Sequence, residues 1–184
     1  MSGGEDGTAR MMHLQNKRVL GSMVHCDAEA GSVEAVSFCA THPWVATGGT
    51  DGSMKVWESV SGTCRHDCRH PAAVTKLEWH PAAPVVFTAC VDANVRAWDA
   101  RTGACTSLFT GHTDMILDMR LVDPRPSSSS PGVPTSAAPA ATTATAAAAA
   151  AAAADAPVLI VTASDDSDCK VFRWPSPEAA SAAA

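Results

Sequence analysis

The chain has 184 residues, a net charge of −6 and a hydrophobic content of 46%, which suits one ordinary globular domain. Lys and Arg number 13 against 19 Asp and Glu, so the composition argues against direct binding to nucleic acid. The seven cysteines form no Cys-x-x-Cys pair, and no segment resembles a signal peptide or a membrane span. We therefore expect reduced thiols, no membrane association and a cytoplasmic protein, with a nuclear location as the alternative.

In chain order, the first predicted elements are a disordered tail at 1–16 and a strand at 17–25. Three longer segments follow, in which short β-branched runs alternate with Gly, Asp and Asn, a pattern typical of strands joined by tight turns. A Ser/Pro-rich and then almost pure Ala insertion interrupts the last of them, and we expect it to be disordered. The three segments are 32–68, 70–109 and 111–174, the insertion is 122–157, and a second disordered tail is expected at 175–184.

The three segments are repeats of one unit. Asp51 and Asp92 are 41 positions apart, and so are Trp57 and Trp98, a period typical of a four-stranded propeller blade. The fold class is therefore all-β, a partial β-propeller of about three four-stranded blades. The strand at 17–25 is predicted to be the outer strand of a preceding blade whose inner strands are missing.

Polar and aromatic residues recur at fixed positions within the repeats. A Thr precedes each turn Asp by four positions, an aromatic residue follows it by six, and a His opens two of the three units. This pattern resembles the WD-repeat family, in which His, Thr, Asp and Trp form a buried hydrogen-bond network. The matching residues are Thr47, Asp51 and Trp57; His70, Thr88, Asp92 and Trp98; and His112, Thr162, Asp166 and Phe172.

Two of these networks are predicted to be incomplete. Glu29 stands where the first repeat should have its His, and Phe172 lacks the indole N–H of a Trp. A Ser-His-Asp type of catalysis would need an exposed hydroxyl beside an oxyanion hole, whereas these hydroxyls are expected on interior strands. The sequence therefore predicts no catalytic residues, no cofactor and no enzyme activity.

A narrower resemblance within the WD-repeat family rests on five runs, at 32–39, 64–70, 95–103, 111–118 and 169–172. They resemble a branch whose fungal member is a dedicated chaperone for a newly made large-subunit ribosomal protein. What the resemblance implies is a seven-bladed propeller that binds a basic segment of a client protein. Three blades cannot close a propeller. We therefore expect a truncated product that needs the missing blades or a second chain, or a fragment without function.

Acidic residues near predicted turns are candidates for contact with a basic partner, although a solvated rim explains them equally well. They are Asp27, Glu29, Asp114, Asp165 and Asp168. A second candidate site is Asp99 and Arg101 in a Trp-Asp-x-Arg motif, which resembles the box that docks some WD-repeat proteins on a cullin-type ubiquitin ligase. A role in shaping the local turn is the alternative.

The alternating motif Cys64-x-His66-x-Cys68-x-His70 raises the question of a metal site. On a strand these side chains share one face, with neighbours about 6.5 Å apart. Four ligands so spread cannot surround one zinc, whose bonds are about 2.0–2.3 Å long. We interpret the motif as an outer strand and predict no metal site.

Overall fold

The computed structural model describes residues 1–27, 29, 31–122 and 158–174. The described residues form four antiparallel sheets, which follow one another along the chain. The first sheet contains β1 (Ser2–Gly3), β2 (Thr8–His13) and β3 (Arg18–Val24). The second contains β4 (Val33–Phe38), β5 (Trp44–Gly49), β6 (Ser53–Glu58) and β7 (Cys64–Arg69). The third contains β8 (Val74–Trp79), β9 (Val85–Cys90), β10 (Val95–Asp99) and β11 (Ala104–Phe109). The fourth contains β12 (Ile116–Val122), β13 (Val158–Ser164) and β14 (Cys169–Trp174).

The prediction of a disordered tail at 1–16 was wrong. Residues Ser2–Gly3 and Thr8–His13 form β1 and β2, which pair with each other and with β3, so inner strands do precede the outer strand. The turn between them is held by Asp6, whose carboxylate accepts hydrogen bonds from the Thr8 amide at 3.1 Å and the Thr8 hydroxyl at 2.6 Å. Gly7 follows Asp6 at φ 68°, a conformation that favours glycine.

The expectation of three four-stranded blades also changes in detail. Two of the four sheets have four strands, and the first and fourth have three within the described residues. The predicted insertion at 122–157 falls between β12 and β13. Val122 belongs to β12, and the rest of the insertion and the tail at 175–184 lie outside the described residues.

Adjacent sheets pack face to face through their buried side chains. Trp44, Val56 and Trp79 belong to one apolar cluster that joins the second and third sheets. Phe87 and Ile160 belong to another, which joins the third and fourth. The innermost strands β4, β8 and β12 lie side by side, as expected for consecutive propeller blades.

Because successive strands are antiparallel, two sets of connections lie at one edge of the array. These are the turns after β1, β5, β9 and β13 and the links after β3, β7 and β11. We call this the upper edge. The opposite edge, which carries the turns after β2, β6 and β10, is called the lower edge.

Candidate protein-binding surface

The second sheet carries a complete buried network beneath the upper edge. The Trp57 indole N–H donates to Thr47 Oγ1 at 2.8 Å, and the Thr47 hydroxyl lies 2.7 Å from His25 Nδ1. The other ring nitrogen of His25 is 2.9 Å from Ser53 Oγ and 3.3 Å from Asp51 Oδ1. This network ties the link after β3 to the interior of the second sheet.

His25, and not Glu29, therefore fills the histidine position, so the prediction of an incomplete first network was wrong. Glu29 lies exposed in the link between β3 and β4. Glu29 precedes Asp51 by the same interval that separates His70 from Asp92, which is why the spacing pointed to it. The link after β3 is longer than the link after β7, and this extra length moves the histidine upstream.

In the third sheet a Thr hydroxyl is again at the centre of the network, but the second ring nitrogen of the histidine has a different partner. Thr88 Oγ1 accepts from the Trp98 indole at 3.0 Å and lies 2.8 Å from His70 Nε2. The His70 Nδ1–H donates to the Cys68 carbonyl at 3.2 Å. Asp92, expected to accept from His70, instead forms a bidentate pair with Arg96, with N···O distances of 2.6 and 3.2 Å.

In the fourth sheet the histidine and the turn Asp do meet. His112 Nδ1–H donates to Asp166 Oδ2 at 2.8 Å, and its Nε2 lies 2.8 Å from Thr162 Oγ1. Phe172 offers no indole donor, and its ring instead packs against Phe109 with centroids 5.7 Å apart. The Thr162 hydroxyl also lies 3.3 Å from the Lys170 carbonyl.

Burial sets the protonation of these networks. Loss of solvation lowers the pKa of His70 to about 4, and the positive charge of Arg96 acts in the same direction. Burial also lowers the pKa of His25, against the opposing charge of Asp51. For Asp92, burial alone would raise the pKa, but hydrogen bonds led by those from Arg96 outweigh it and lower the pKa to about 2. Neutral His70 and ionised Asp92 are therefore the native forms at pH 7.

Gly49 has no side chain, and the His25 ring and the Asp51 carboxylate occupy the space beside its Cα. Replacing it by alanine is expected to lower the free energy of unfolding by about 2 kcal/mol. The added Cβ would lie 2.7 Å from His25 Nε2 and 2.8 Å from Asp51 Oδ1. Urea denaturation followed by Trp fluorescence measures the change. Gly21→Ala in β3 is the control, because no atom lies within 4 Å of its added Cβ. Equal losses in the two variants would contradict the steric explanation.

The five acidic residues predicted to contact a partner are all exposed at the upper edge. Asp114 and Asp165 lie on adjoining segments of the fourth sheet, where the Asp165 amide donates to the Met115 carbonyl at 3.0 Å and the Ser164 hydroxyl donates to the Asp114 carbonyl at 2.9 Å. Asp168 lies in the same turn and pairs with Lys170 at 3.0 Å. Asp27 and Glu29 stand apart, in the link before the second sheet. The structure thus divides the predicted set into a group of three and a group of two.

Most of these carboxylates differ from the turn Asp residues in having no counter-charge. Within the described residues, Asp27, Glu29, Asp114 and Asp165 form no ion pair, whereas Asp6 and Asp92 each pair with an Arg four positions later at 2.6 Å. An unpaired, solvated carboxylate remains available to a cationic group of another molecule. The upper edge therefore presents free negative charge at two places.

Asp99 and Arg101 lie at the lower edge, where β10 turns into β11. The Asp99 carboxylate accepts from the Arg101 amide at 2.9 Å and from its guanidinium at 3.1 and 3.2 Å. Thr102 and Gly103 complete the turn, and the amides of both approach the Asp99 carbonyl. These contacts are those of a turn-shaping pair, the alternative that the sequence left open.

Cys64, His66 and Cys68 alternate along the outer strand β7. The His66 Nε2–H donates to the Arg101 carbonyl at 3.0 Å, and the Cys68 thiol lies 3.5 Å from the Gly103 carbonyl. Burial raises the pKa of the Cys68 thiol to about 11. The motif thus joins the outer strand of the second sheet to a turn of the third. The described ranges contain no group of three or more His, Cys, Asp or Glu arranged to hold a metal ion.

Comparison with known protein families identifies the repeats. The family model "WD domain, G-beta repeat" matches residues 20–58 and 62–99. The chain thus contains WD repeats at these positions. Both matched segments run from the outer strand of one sheet through the first three strands of the next, so each spans one interface between sheets. WD-repeat proteins are generally non-enzymatic scaffolds, and WD repeats imply protein partners.

Two known proteins are similar to this chain in sequence. Angio-associated migratory cell protein of Homo sapiens is 39% identical over 95 residues, covering 52% of this WD-repeat chain and 22% of that protein. An uncharacterized WD repeat-containing protein of Schizosaccharomyces pombe is 32% identical over 119 residues, covering 65% of this chain and 29% of that one. The chain thus spans less than a third of the length of these relatives.

Two solved structures share the fold. Saccharomyces cerevisiae Sqt1 superimposes with a TM-score of 0.70 and 21% identity, over 94% of this WD-repeat chain and 40% of that one. The computationally designed Ika4 protein superimposes with a TM-score of 0.66 and 19% identity, over 94% and 82% of the two chains. In the part of the chain that is described, no helix is long and apolar enough to cross a membrane.

Proposed function

We propose that this WD-repeat scaffold holds a basic segment of a client protein against its upper edge. The observation that carries the proposal is the set of exposed carboxylates there that form no ion pair within the described residues. Two of them, Asp114 and Asp165, lie on adjoining segments of the fourth sheet, where the Asp165 amide donates to the Met115 carbonyl. Lys and Arg side chains of a client would supply the missing counter-charges. Such contacts chiefly raise the association rate and fix the partner's orientation.

The finer proposal concerns the identity of the client. The sequence runs at 32–39, 64–70 and 111–118 resemble the branch with the ribosomal-protein chaperone, and a ribosomal protein is rich in Lys and Arg. A newly made large-subunit ribosomal protein therefore matches the charge of the upper edge. We place this function, a step in ribosome assembly, in the cytoplasm.

Affinity capture with the full chain tests the proposal. Wild-type bait is expected to enrich a large-subunit ribosomal protein, and the double variant Asp114→Asn/Asp165→Asn is expected to recover about one fifth as much, since each exposed ion pair contributes about 0.2–1 kcal/mol. The matched control Glu58→Gln/Asp99→Asn removes the same charge at the lower edge and is expected to capture as much as the wild type. Enrichment of a cullin adaptor that is lost in Arg101→Ala would instead support the ligase role.

A further inference from the structure

The outer strand of one sheet meets a turn of the next sheet at two places within the described residues. Where β7 of the second sheet meets the turn after β10, the His66 Nε2–H donates to the Arg101 carbonyl at 3.0 Å. The His66 ring also packs on Gly103, since a Cβ added there would lie 2.9 Å from His66 Nδ1. An imidazole therefore fills this junction.

The other junction, between β3 and the turn after β6, has the same backbone. In this turn the Gly62 amide donates to the Glu58 carbonyl at 2.9 Å, and in the turn after β10 the Gly103 amide donates to the Asp99 carbonyl at 2.7 Å. The two glycines have φ values of 69° and 75°. The two turns thus correspond residue by residue.

Strand β3 corresponds to β7 in the same way. Gly21 is paired with Met11 as His66 is paired with Val56, and in both sheets the register shifts directly after this pair. Gly21 therefore stands at the position of His66, and β3 brings no imidazole to its junction.

A cleft of about 130 Å³ lies at this junction. Its lining includes Gly21, Val60 and Gly62, and a Cβ added to either glycine would meet no atom within 4 Å. Val60 corresponds to Arg101, and the Val60 carbonyl accepts no hydrogen bond from a described residue. The cleft therefore offers the space and the acceptor that an imidazole uses at the other junction.

We propose that this cleft binds the imidazole of a histidine on a partner protein. The ring Nε2–H donates to the Val60 carbonyl, and the ring packs on Gly62 as His66 packs on Gly103. An apolar ring of similar size fits less well, because it would cover the carbonyl without supplying a donor. The turn after β6 lies at the lower edge, so this site is separate from the client site at the upper edge.

The positions of this chain's own histidines indicate that the ring comes from another molecule. All seven lie within the described residues. His13 is exposed at the end of β2 and does not line the cleft. WD repeats imply protein partners, so a protein side chain is the source we assign. The other six histidines make contacts elsewhere in the fold and are His25, His42, His66, His70, His80 and His112.

NMR titration of the full ¹⁵N-labelled chain tests this proposal. The probe is N-acetyl-histidine methylamide, which carries the histidine ring between two peptide groups. The amide signals of Gly21 and Gly62 are expected to shift saturably, with a dissociation constant in the millimolar range that suits a ligand of this size. Methylation of the probe at Nε2 removes the donor and is expected to weaken binding at least tenfold.

Gly21→His supplies the ring from the chain itself and is expected to weaken probe binding at least tenfold, read from the Gly62 signal. Space for the new side chain exists, since no atom lies within 4 Å of the added Cβ. Val24→His is the matched control, because it adds the same side chain to an exposed position of the same strand outside the cleft. This control is expected to bind the probe as the wild type does. Circular dichroism establishes that both variants are folded.

Four results would overturn the proposal. The first is the absence of saturable shifts, and the second is equal binding of the methylated probe or an unchanged affinity in Gly21→His. Tighter binding of free histidine than of the capped probe would make a small metabolite the occupant. Self-association that fills the cleft and disappears in His13→Ala would make a second copy of the chain the occupant.

Discussion

Replacing Thr88 by valine is expected to lower the free energy of unfolding by about 3 kcal/mol, one of the two largest effects we predict. The substitution keeps the shape of the side chain and removes one oxygen. The Trp98 indole N–H and the His70 Nε2 would then both lose their hydrogen-bond partner in the protein interior. Each buried polar group left unsatisfied costs about 1–3 kcal/mol.

Urea denaturation of the full chain measures this loss. Thr106→Val in β11 is the matched control. The Thr106 hydroxyl also forms a hydrogen bond, which it donates to the Ala97 carbonyl, but the residue is exposed. A change of less than about 0.5 kcal/mol is expected there. Equal losses of stability in the two variants would show that burial of the Thr88 hydrogen bonds does not explain the effect.

The second large effect is a loss of stability in mild acid. The pKa of His70 is lowered by burial to about 4, below the ordinary value of 6.5. Between these two values the unfolded chain binds a proton that the folded chain does not, so stability rises with pH across this window. As the pH falls from 6.5 to 4, His70 alone is expected to remove up to about 3 kcal/mol. Asp92, with a pKa of about 2, contributes only below its ordinary value of 3.8.

The measurement is the free energy of unfolding of His70→Gln and wild type at intervals from pH 7 to pH 4. The variant is expected to be less stable at pH 7, because glutamine does not reproduce both ring contacts, and to show a shallower decline toward pH 4. His25, whose pKa is also lowered by burial, accounts for part of the decline that remains. Parallel pH curves for the two proteins would show that His70 is not the titrating group.

Much of the fold was readable from the sequence because each repeat carries its own turn and network residues. The interval from Thr47 to Asp51 to Trp57 locates two strands and the turn between them, and the same interval recurs from Thr88. The first sheet was missed for a local reason. Its equivalents are Ser2, Asp6 and Met12, so the aromatic residue that marks the pattern is absent and β1 is only two residues long.

The network partners were harder to predict because they depend on competition in three dimensions. Asp92 and Arg96 are four positions apart on either side of a tight turn. The Asp92 carboxylate pairs with the Arg96 guanidinium and not with the His70 ring. His70 then turns to the Cys68 carbonyl. Residue spacing does not predict either of these partners. In the fourth sheet Asp166 and Lys170 are separated by the same interval, yet His112 still donates to Asp166.

The most direct test of the binding surface at the upper edge is the affinity of the full chain for a Lys/Arg-rich peptide as a function of ionic strength. We predict that the dissociation constant rises with salt, and that Asp114→Asn/Asp165→Asn weakens binding about fivefold at low salt and less at high salt. The control Glu58→Gln/Asp99→Asn is predicted to match the wild type. An affinity that does not change with salt, or one that falls equally in both double variants, would contradict a client site at the upper edge.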